Sequence, residues 1–448
     1  MKRLWDKNDN VDAEILRFTI GEDPQNDLRL IRFDCLGSAA HVRALQKLGL
    51  LSADEAARLV EELARICRLA AEGRFPIPVE LEDCHTAIEA HLTAVLGALG
   101  EKIHAGRSRN DQVATAMRLF MRHNALVWSA EAAETIAAFL RRIRRDGTTP
   151  MPGYSHLRPA MPSSVGLWLY AFGEAFYEEL RSILHLLEYL DCCPSGTAVG
   201  YGSPLPLDRG YIAELLGFSR VERSPLKVQN SRGLAEARFA RTAADMASIC
   251  QKFACDLLLF STVEFGFFSL PKELTTGSSI MPQKHNPDVL ELLRARAVRL
   301  RAAQHELEWL ADKLPSGYHR DFQLLKGPVI AAADEVSAVL PPVRRIVESF
   351  LIHWERLSAA MQPELFAAQA ATGLAVQGVP FREAYRRVAE SLREGGGESV
   401  SCSPSEAASG ILPPESLEAL EADLSSLKNM LAAIDRRIRV AEAALLPV

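Results

Sequence analysis

Residues 275–297 read TTGSSIMPQKHNPDVLELLRARA, two unlike halves joined end to end. The first half carries Gly277, Ser278, Ser279, Pro282, Lys284, Asn286 and Pro287, with neither a helical nor a strand period. From Asp288 on, the chain becomes a strong helix former. Glycine, serines and prolines leave backbone N–H groups available, and Lys284 and Asn286 add a charge and an amide. Such a loop at the mouth of a helix is a nest for a developing anion. Ser278 beside it can act as a base only where a positive field lowers its pKa strongly. A plain loop-to-helix junction does not call for this collection.

Outward from that stretch, helical periodicity dominates. Leu180, Ile183, Leu184 and Leu187 recur at the spacing of one helix face. Residues 237–265 are apolar over most of a helical circumference, as in a helix buried by several neighbours. Further long helices are predicted from about Asp288 to Lys313 and from about Gly327 to Arg356. Proline and glycine cluster between them at 148–156, 195–208 and 314–321. Alternating β-branched runs are scarce, so little sheet is expected. The fold class is therefore all-α, in three mostly helical domains: an N-terminal one over 1–104, a central bundle of long helices over 105–355, and a small C-terminal one over 356–448. The stretch 394–406, EGGGESVSCSPSE, reads as flexible. Faces as apolar as these predict a multi-subunit helical core, because one chain cannot easily cover them.

Composition excludes several classes. With 51 Lys and Arg against 57 Asp and Glu, the net charge of -6 argues against nucleic acid as the main partner. The one basic run, RRIRR at 141–145, reads as a solvated helix end. MKRLWDKNDNVDAE has no apolar stretch of signal-peptide length, and charges interrupt every long apolar run, so no membrane contact is indicated. Eight cysteines show no zinc-ligand spacing, and only Cys192 and Cys193 are adjacent; a reduced cytoplasmic setting is the simplest account.

Three more loops hold unusual polar chemistry. HAGRSRNDQVAT sets Arg107, Ser108, Arg109, Asn110 and Asp111 before an apolar-periodic helix, a ready anion site; SRND alone reads as well as a helix cap with a salt bridge. MPGYSHLRPAMPSS carries Ser155 and His156 between stiffening prolines, although a lone histidine is more often structural. GYHRDFQLLKG spaces Tyr318, Asp321, Gln323 and Lys326 at a helix entry.

GSSIMPQKHNP resembles the signature loop GSSxMPxKxNP of the aspartase/fumarase superfamily. HAGRSRNDQVAT, PGYSHL, LPSGYHRDFQLLK, GVPFREAY and EDCHTAIE, with Leu4 and Trp5 near the start, are similar to blocks of its argininosuccinate lyase/δ-crystallin branch, in colinear order. The resemblance implies a β-elimination that releases fumarate and an amine-type product, with no metal or organic cofactor, in a homotetramer whose sites draw loops from different subunits. By matching positions it makes Ser278 the base, Lys284 and Asn286 the carbanion stabilisers, and His156 an acid/base or orienting residue tuned by Glu291. Ser155, Asn110 and Arg109 become substrate contacts, and Tyr318, Gln323 and Lys326 hold the amino-acid end of argininosuccinate. The two alternatives are a related carbon–nitrogen lyase on another N-succinyl amine and a non-catalytic crystallin-like paralogue; the second predicts loss of Ser278 or His156, and both are present.

Departures from the branch pattern bear on the substrate. Arg158 stands where many members have glutamine, Leu325 replaces an acidic residue and His319 an asparagine, while 229–239 matches only loosely. One more cation and one fewer anion favour a less cationic substrate than argininosuccinate.

Overall fold

The computed structural model describes residues 12–312, 314–394 and 412–447. Leu4, Trp5 and most of the stretch read as flexible, 395–406, lie outside the described residues. The N-terminal region holds α1 (Ala13–Ile20), α2 (Asp23–Asp27), α3 (Ile31–Lys47), α4 (Ala53–Ala71), α5 (Cys84–Leu96) and α6 (Ala98–Glu101). Its buried side chains, Leu36, Leu59 and Leu63 among them, run continuously into the core of the bundle, and α3 packs directly on α7 (Arg109–Asp146).

Ser108 and Asp111 start α7 with a reciprocal cap: the Asn110 amide donates to Ser108 Oγ at 3.3 Å and the Ser108 amide to Asp111 Oδ1 at 3.0 Å. At 38 residues α7 is about 57 Å long. It packs on α8 (Val165–Leu190). The chain then passes α9 (Arg209–Leu215) and α10 (Pro225–Asn230) into α11 (Leu234–Phe260), which packs on α12 (Asp288–Ala311) and on α13 (Lys326–Ser349). Large rings fill the space between these helices: Trp128 stacks on Phe239 at 4.2 Å, and Phe139 meets Phe253 edge-on at 5.4 Å. None of the described helices is long and apolar enough to cross a membrane.

The last stretch divides in two. After α14 (Trp354–Ala359), α15 (Ala367–Val376) and α16 (Phe381–Arg393) enclose a small separate core of Leu365, Phe366, Ala371 and Val388. Then α17 (Pro414–Leu445) returns to the bundle, laying Leu420, Leu424, Leu427 and Leu431 against α7 and α8.

Two sequence expectations need correction. The helix predicted over 327–356 stops at Ser349, and the basic run at 141–145 shows why. Arg142 is buried, not solvated: its guanidinium donates to the carbonyls of Phe350 at 2.7 Å and Glu348 at 3.3 Å and lies 4.0 Å over the Phe350 ring. A cation that satisfies the last carbonyls of α13 ends that helix. Burial pushes its pKa down, to about 10. Arg141, Arg144 and Arg145 remain exposed and pair with Glu348, Glu421 and Asp146.

The second correction is the proline-rich connection after α7, which folds as a β-hairpin of Pro150–Ser155 and Arg158–Ser164. Proline is expected to break strands, but a two-stranded ribbon has two free edges, so half its N–H groups need no partner. Pro152 and Pro162 face each other across it. At its base Gly166 sits so close to Gly147 that an added Cβ would lie 2.6 Å from the Gly147 carbonyl oxygen. The turn residues His156 and Leu157 have φ of +52° and +57°, the paired left-handed geometry of a two-residue hairpin loop.

Candidate active site

A cavity of about 100 Å³ opens at the N-terminal end of α7, and the structure brings Arg109, Asn110, Tyr318, Gln323 and Lys326 to its wall. Tyr318 leans edge-on against Phe322 at 6.0 Å. Gln323 Nε2 donates to the carbonyls of Thr19 and Ile20 at 3.0 and 2.7 Å, tying the segment to the end of α1. Lys326 is buried, with Nζ 2.7 Å from Asp27 and 3.2 Å from Asp23. Burial alone would lower its pKa, but Asp27 and Asp23 raise it, so it stays cationic.

The expected pair of anion-binding arginines divides. Arg107 turns inward and donates to Ser38 Oγ at 2.9 Å. Arg109 lines the cavity, yet its guanidinium is already held by Asp83 and Glu82 of the same chain. Asp83 also caps α5, accepting from the Thr86 amide at 2.8 Å. Burial pushes the Asp83 carboxyl up, but His85, Arg109 and that amide hold it below the ordinary range. Neighbouring Glu82 adopts φ +66°, a strained conformation that turns the capping segment toward Arg109.

At the other end of the bundle, the loop before α12 has a closed neck. Thr276 and Asn286 exchange backbone hydrogen bonds at 3.0 and 2.8 Å, and Asn286 Nδ2 donates to the Gly277 carbonyl at 3.3 Å. Inside the neck, Ser278 Oγ accepts from the amides of Met281 at 3.2 Å and Ile280 at 3.4 Å. Two amide donors on one hydroxyl oxygen favour its ionised form. Lys284 is exposed on the same loop, and Glu291 is exposed in the first turn of α12. Ser155 closes the first strand of the hairpin and exposed His156 forms its tip. Among the described residues, no ion pair joins Glu291 to His156 within this chain.

One chain does not bring the two groups together. Asn110 opens α7, whereas the His156 hairpin follows its last residue, about 57 Å away. Helix α11 runs about 40 Å in the same sense over its 27 residues, from beside Arg232 at the cavity to Phe260, whose ring meets Tyr154 at 5.9 Å. Helix α12 starts at the Ser278 loop and carries the chain back about 36 Å over its 24 residues.

Sequence reasoning missed Asp23, Asp83, His85, Arg232 and Arg320, all of which line the cavity. Asp83 and His85 had a signal in EDCHTAIE, a polar cap before an apolar helix; Asp23 had none. Burial would lower the His85 pKa, but Asp34, 2.9 Å from Nδ1, raises it together with Asp83 and Asp27. The loosely matching segment 229–239 proves to be a support. Asn230 Nδ2 donates to Ser316 Oγ at 3.0 Å and its Oδ1 accepts from the Gly317 amide at 3.0 Å, while Arg232 lies 5.3 Å over the Phe322 ring and pairs with Glu236. Two of the departures lose their bearing on the substrate: Leu325 is fully buried in the core, and His319 is bonded to the Pro315 carbonyl. Arg158 remains, exposed beside the hairpin tip.

Residues 10–301 match the family model described as Lyase. An argininosuccinate lyase of Sorangium cellulosum is 45% identical over 390 residues, covering 87% of this chain and 90% of that protein. One from Thermotoga neapolitana is 40% identical over 389 residues, 87% and 98% of the respective chains. Among solved structures, EDDS lyase in complex with formate superposes with a TM-score of 0.81 at 22% identity, covering 98% of this chain and 95% of that one. A class II fumarase from Schistosoma mansoni gives 0.73 at 16%, covering 89% and 97%. At those identities the structures show a common fold.

Proposed function

The chain belongs to the lyase family, and we propose that it is an argininosuccinate lyase, catalysing the reversible β-elimination of argininosuccinate to arginine and fumarate, a step of arginine biosynthesis. The observation that carries the reading is the convergence of Asn110, Tyr318, Gln323 and Lys326, from two distant stretches of sequence, on one polar cavity.

The chemistry is hard because the proton to be removed lies next to a carboxylate and is a very weak acid. Its loss creates a doubly charged aci-carboxylate, so donors must be in place before the charge forms. Ser278 is the base. As an alkoxide it has three lone pairs; the Ile280 and Met281 amides engage two, and the third takes the proton. Lys284, the loop amides and Asn286 stabilise the carbanion. Asn286 at present braces the loop through Gly277, so its contribution depends on the loop closing over substrate and excluding water. His156, tuned by Glu291, acts at the departing nitrogen, with Ser155 beside it as a substrate contact. Tyr318, Gln323 and Lys326 hold the amino-acid end, with Asn110 and Arg109 along the cavity wall. No metal or organic cofactor takes part.

The distance between the two groups requires copies of the chain. A homotetramer supplies them, with the cavity of one subunit facing the Ser278 loop and the His156 hairpin of others. Leu292, Val298 and Trp309 on α12 are 58%, 61% and 74% exposed in the single chain, apolar surface of the kind that association covers. The seven described cysteines are free thiols, in keeping with work in a reducing cytoplasm.

Fumarate release, followed by ultraviolet absorbance across a panel of N-succinyl amines, tests the substrate. Argininosuccinate should be turned over fastest. Trace activity on it with rapid release from a different N-succinyl amine would replace the reading by the related lyase that Arg158 suggests.

A further inference from the structure

Arg232 and His85 have no part in the mechanism above, yet both line the cavity, at only 6% and 5% exposure. Arg232 Nε donates to Glu236 Oε1 at 3.3 Å, while Glu236 Oε2 accepts the Gly233 amide at 2.7 Å and so caps α11. Glu236 is thus engaged at both oxygens, and among the described residues Arg232 Nη1 has no hydrogen-bond partner. His85 is held from one side only: Nδ1 lies 2.9 Å from Asp34, and Nε2 has no partner among the described residues. Burial lowers the His85 pKa, but Asp34, Asp83 and Asp27 raise it overall, which favours a donor at both ring nitrogens. The other cations of the wall are engaged. Lys326 is held by Asp27 and Asp23, Arg109 by Asp83 and Glu82, and exposed Arg320 donates to the Thr19 carbonyl at 2.9 Å. A buried N–H without an acceptor is costly, so this wall calls for a ligand that brings one. The acceptor that best fits a guanidinium is a carboxylate.

We propose that Arg232 is a specificity-determining residue whose guanidinium receives the α-carboxylate of the amino-acid end of substrate and product, with His85 Nε2 as the second donor on that wall. The proposal rests on the reading of this cavity as the amino-acid subsite. An amine lacking the carboxylate leaves Arg232 Nη1 buried and unmatched, so the subsite reads an amino acid and rejects the corresponding simple amine.

What holds Arg232 in place suits that role. Gly233, which precedes α11, has φ +86° and approaches the end of α12 so closely that an added Cβ would overlap the Ala311 side chain. The backbone beside Arg232 is therefore fixed, and the Phe322 ring, 5.3 Å from the guanidinium carbon, supports the side chain. A guanidinium fixed before the ligand arrives gives up little freedom on binding. The succinyl half of the substrate offers the same carboxylate chemistry, and fumarate represents it in the test.

Calorimetry with L-arginine, with agmatine (the same molecule without its carboxylate) and with fumarate decides the matter. Wild-type protein should prefer arginine to agmatine by roughly 10- to 100-fold, the range of a hydrogen bond to a charged group. In Arg232→Met, arginine should fall to the affinity of agmatine, while agmatine and fumarate bind as before. That change strands the buried Glu236 carboxylate. If the single variant does not fold, Arg232→Met/Glu236→Gln takes its place, since it removes both charges and keeps an acceptor for the Gly233 amide. Equal affinity of the wild-type protein for arginine and agmatine, or a preference that survives in the variant, overturns the role of Arg232 while leaving the lyase reading intact. A loss confined to fumarate would put a succinyl carboxylate at Arg232 and overturns the proposal in the same way. Failure of the wild-type protein to bind arginine at all overturns both.

Discussion

Replacing Lys326 by methionine removes the most deeply buried cation of the cavity. Asp27 is fully buried, and among the described residues Lys326, at 2.7 Å, is its sole cationic partner. Breaking a buried pair by deleting one member costs about 3–5 kcal/mol, because the other charge is left uncompensated. That cost depends on pH, with a definite sign. In the variant, Asp23 loses the ammonium that lowers its pKa, so its folded-state value, already raised by burial, rises further above the unfolded one. A carboxylate with a raised folded pKa contributes stability that is full below the unfolded pKa, near 4, and lost as pH climbs through the folded value. Lys326→Met should therefore be most destabilised near pH 8 and recover toward pH 5. Urea unfolding at fixed protein concentration, at both pH values, measures this directly. The double variant Lys326→Met/Asp27→Asn should regain most of the lost stability at pH 8 without regaining activity. A loss below about 1 kcal/mol, or one independent of pH, would refute the claim that Lys326 neutralises this cluster.

Ser278→Ala should leave the fold intact and lower kcat by several orders of magnitude, because the proposed base is gone; a variant with a tenth of wild-type turnover would remove Ser278 from that role. Arg142→Met should lower stability by about 2–4 kcal/mol in urea titrations, since the carbonyls of Glu348 and Phe350 lose their buried donor; a change within experimental error would mean that the end of α13 is satisfied without it. Asp23→Asn should be more stable than wild type near pH 8 by up to about 3 kcal/mol, the cost of ionising a carboxyl whose folded pKa is about 6 against 3.8. That advantage should vanish below pH 4, and a constant difference across the range would contradict it. Arg158→Gln should change kcat/KM for argininosuccinate only modestly, because Arg158 is exposed at the hairpin; a tenfold gain, from a wild type with trace activity, would favour another N-succinyl amine.

The long helices were legible because their apolar periodicity is strong over many turns, and the Ser278 loop because its residues fit neither period. What the sequence hid was decided by contacts between distant segments. Arg142 looks like one more charge in a basic run until the end of α13 is placed beside it. The hairpin looks like a broken connection because each proline there counts against a strand, and only pairing shows which N–H groups are dispensable. Leu325 and His319 read as changes to the site although one faces the core and the other the backbone of its own loop. Asp23 belongs to a five-residue helix with no pattern of its own, and only Lys326, arriving from far along the chain, shows that it lines the cavity.

In the proposed enzyme the cavity and the Ser278 loop that completes it belong to different chains. Asn110→Ala and Ser278→Ala proteins should each be nearly inactive as purified. When the two are mixed, dissociated and reassembled, sites that take Asn110 from one chain and Ser278 from the other carry no substitution. Random reassembly should then restore roughly a quarter of wild-type fumarate release from argininosuccinate. A mixture that stays as inactive as its components, although mass measurement shows hybrid oligomers, would contradict a site shared between chains.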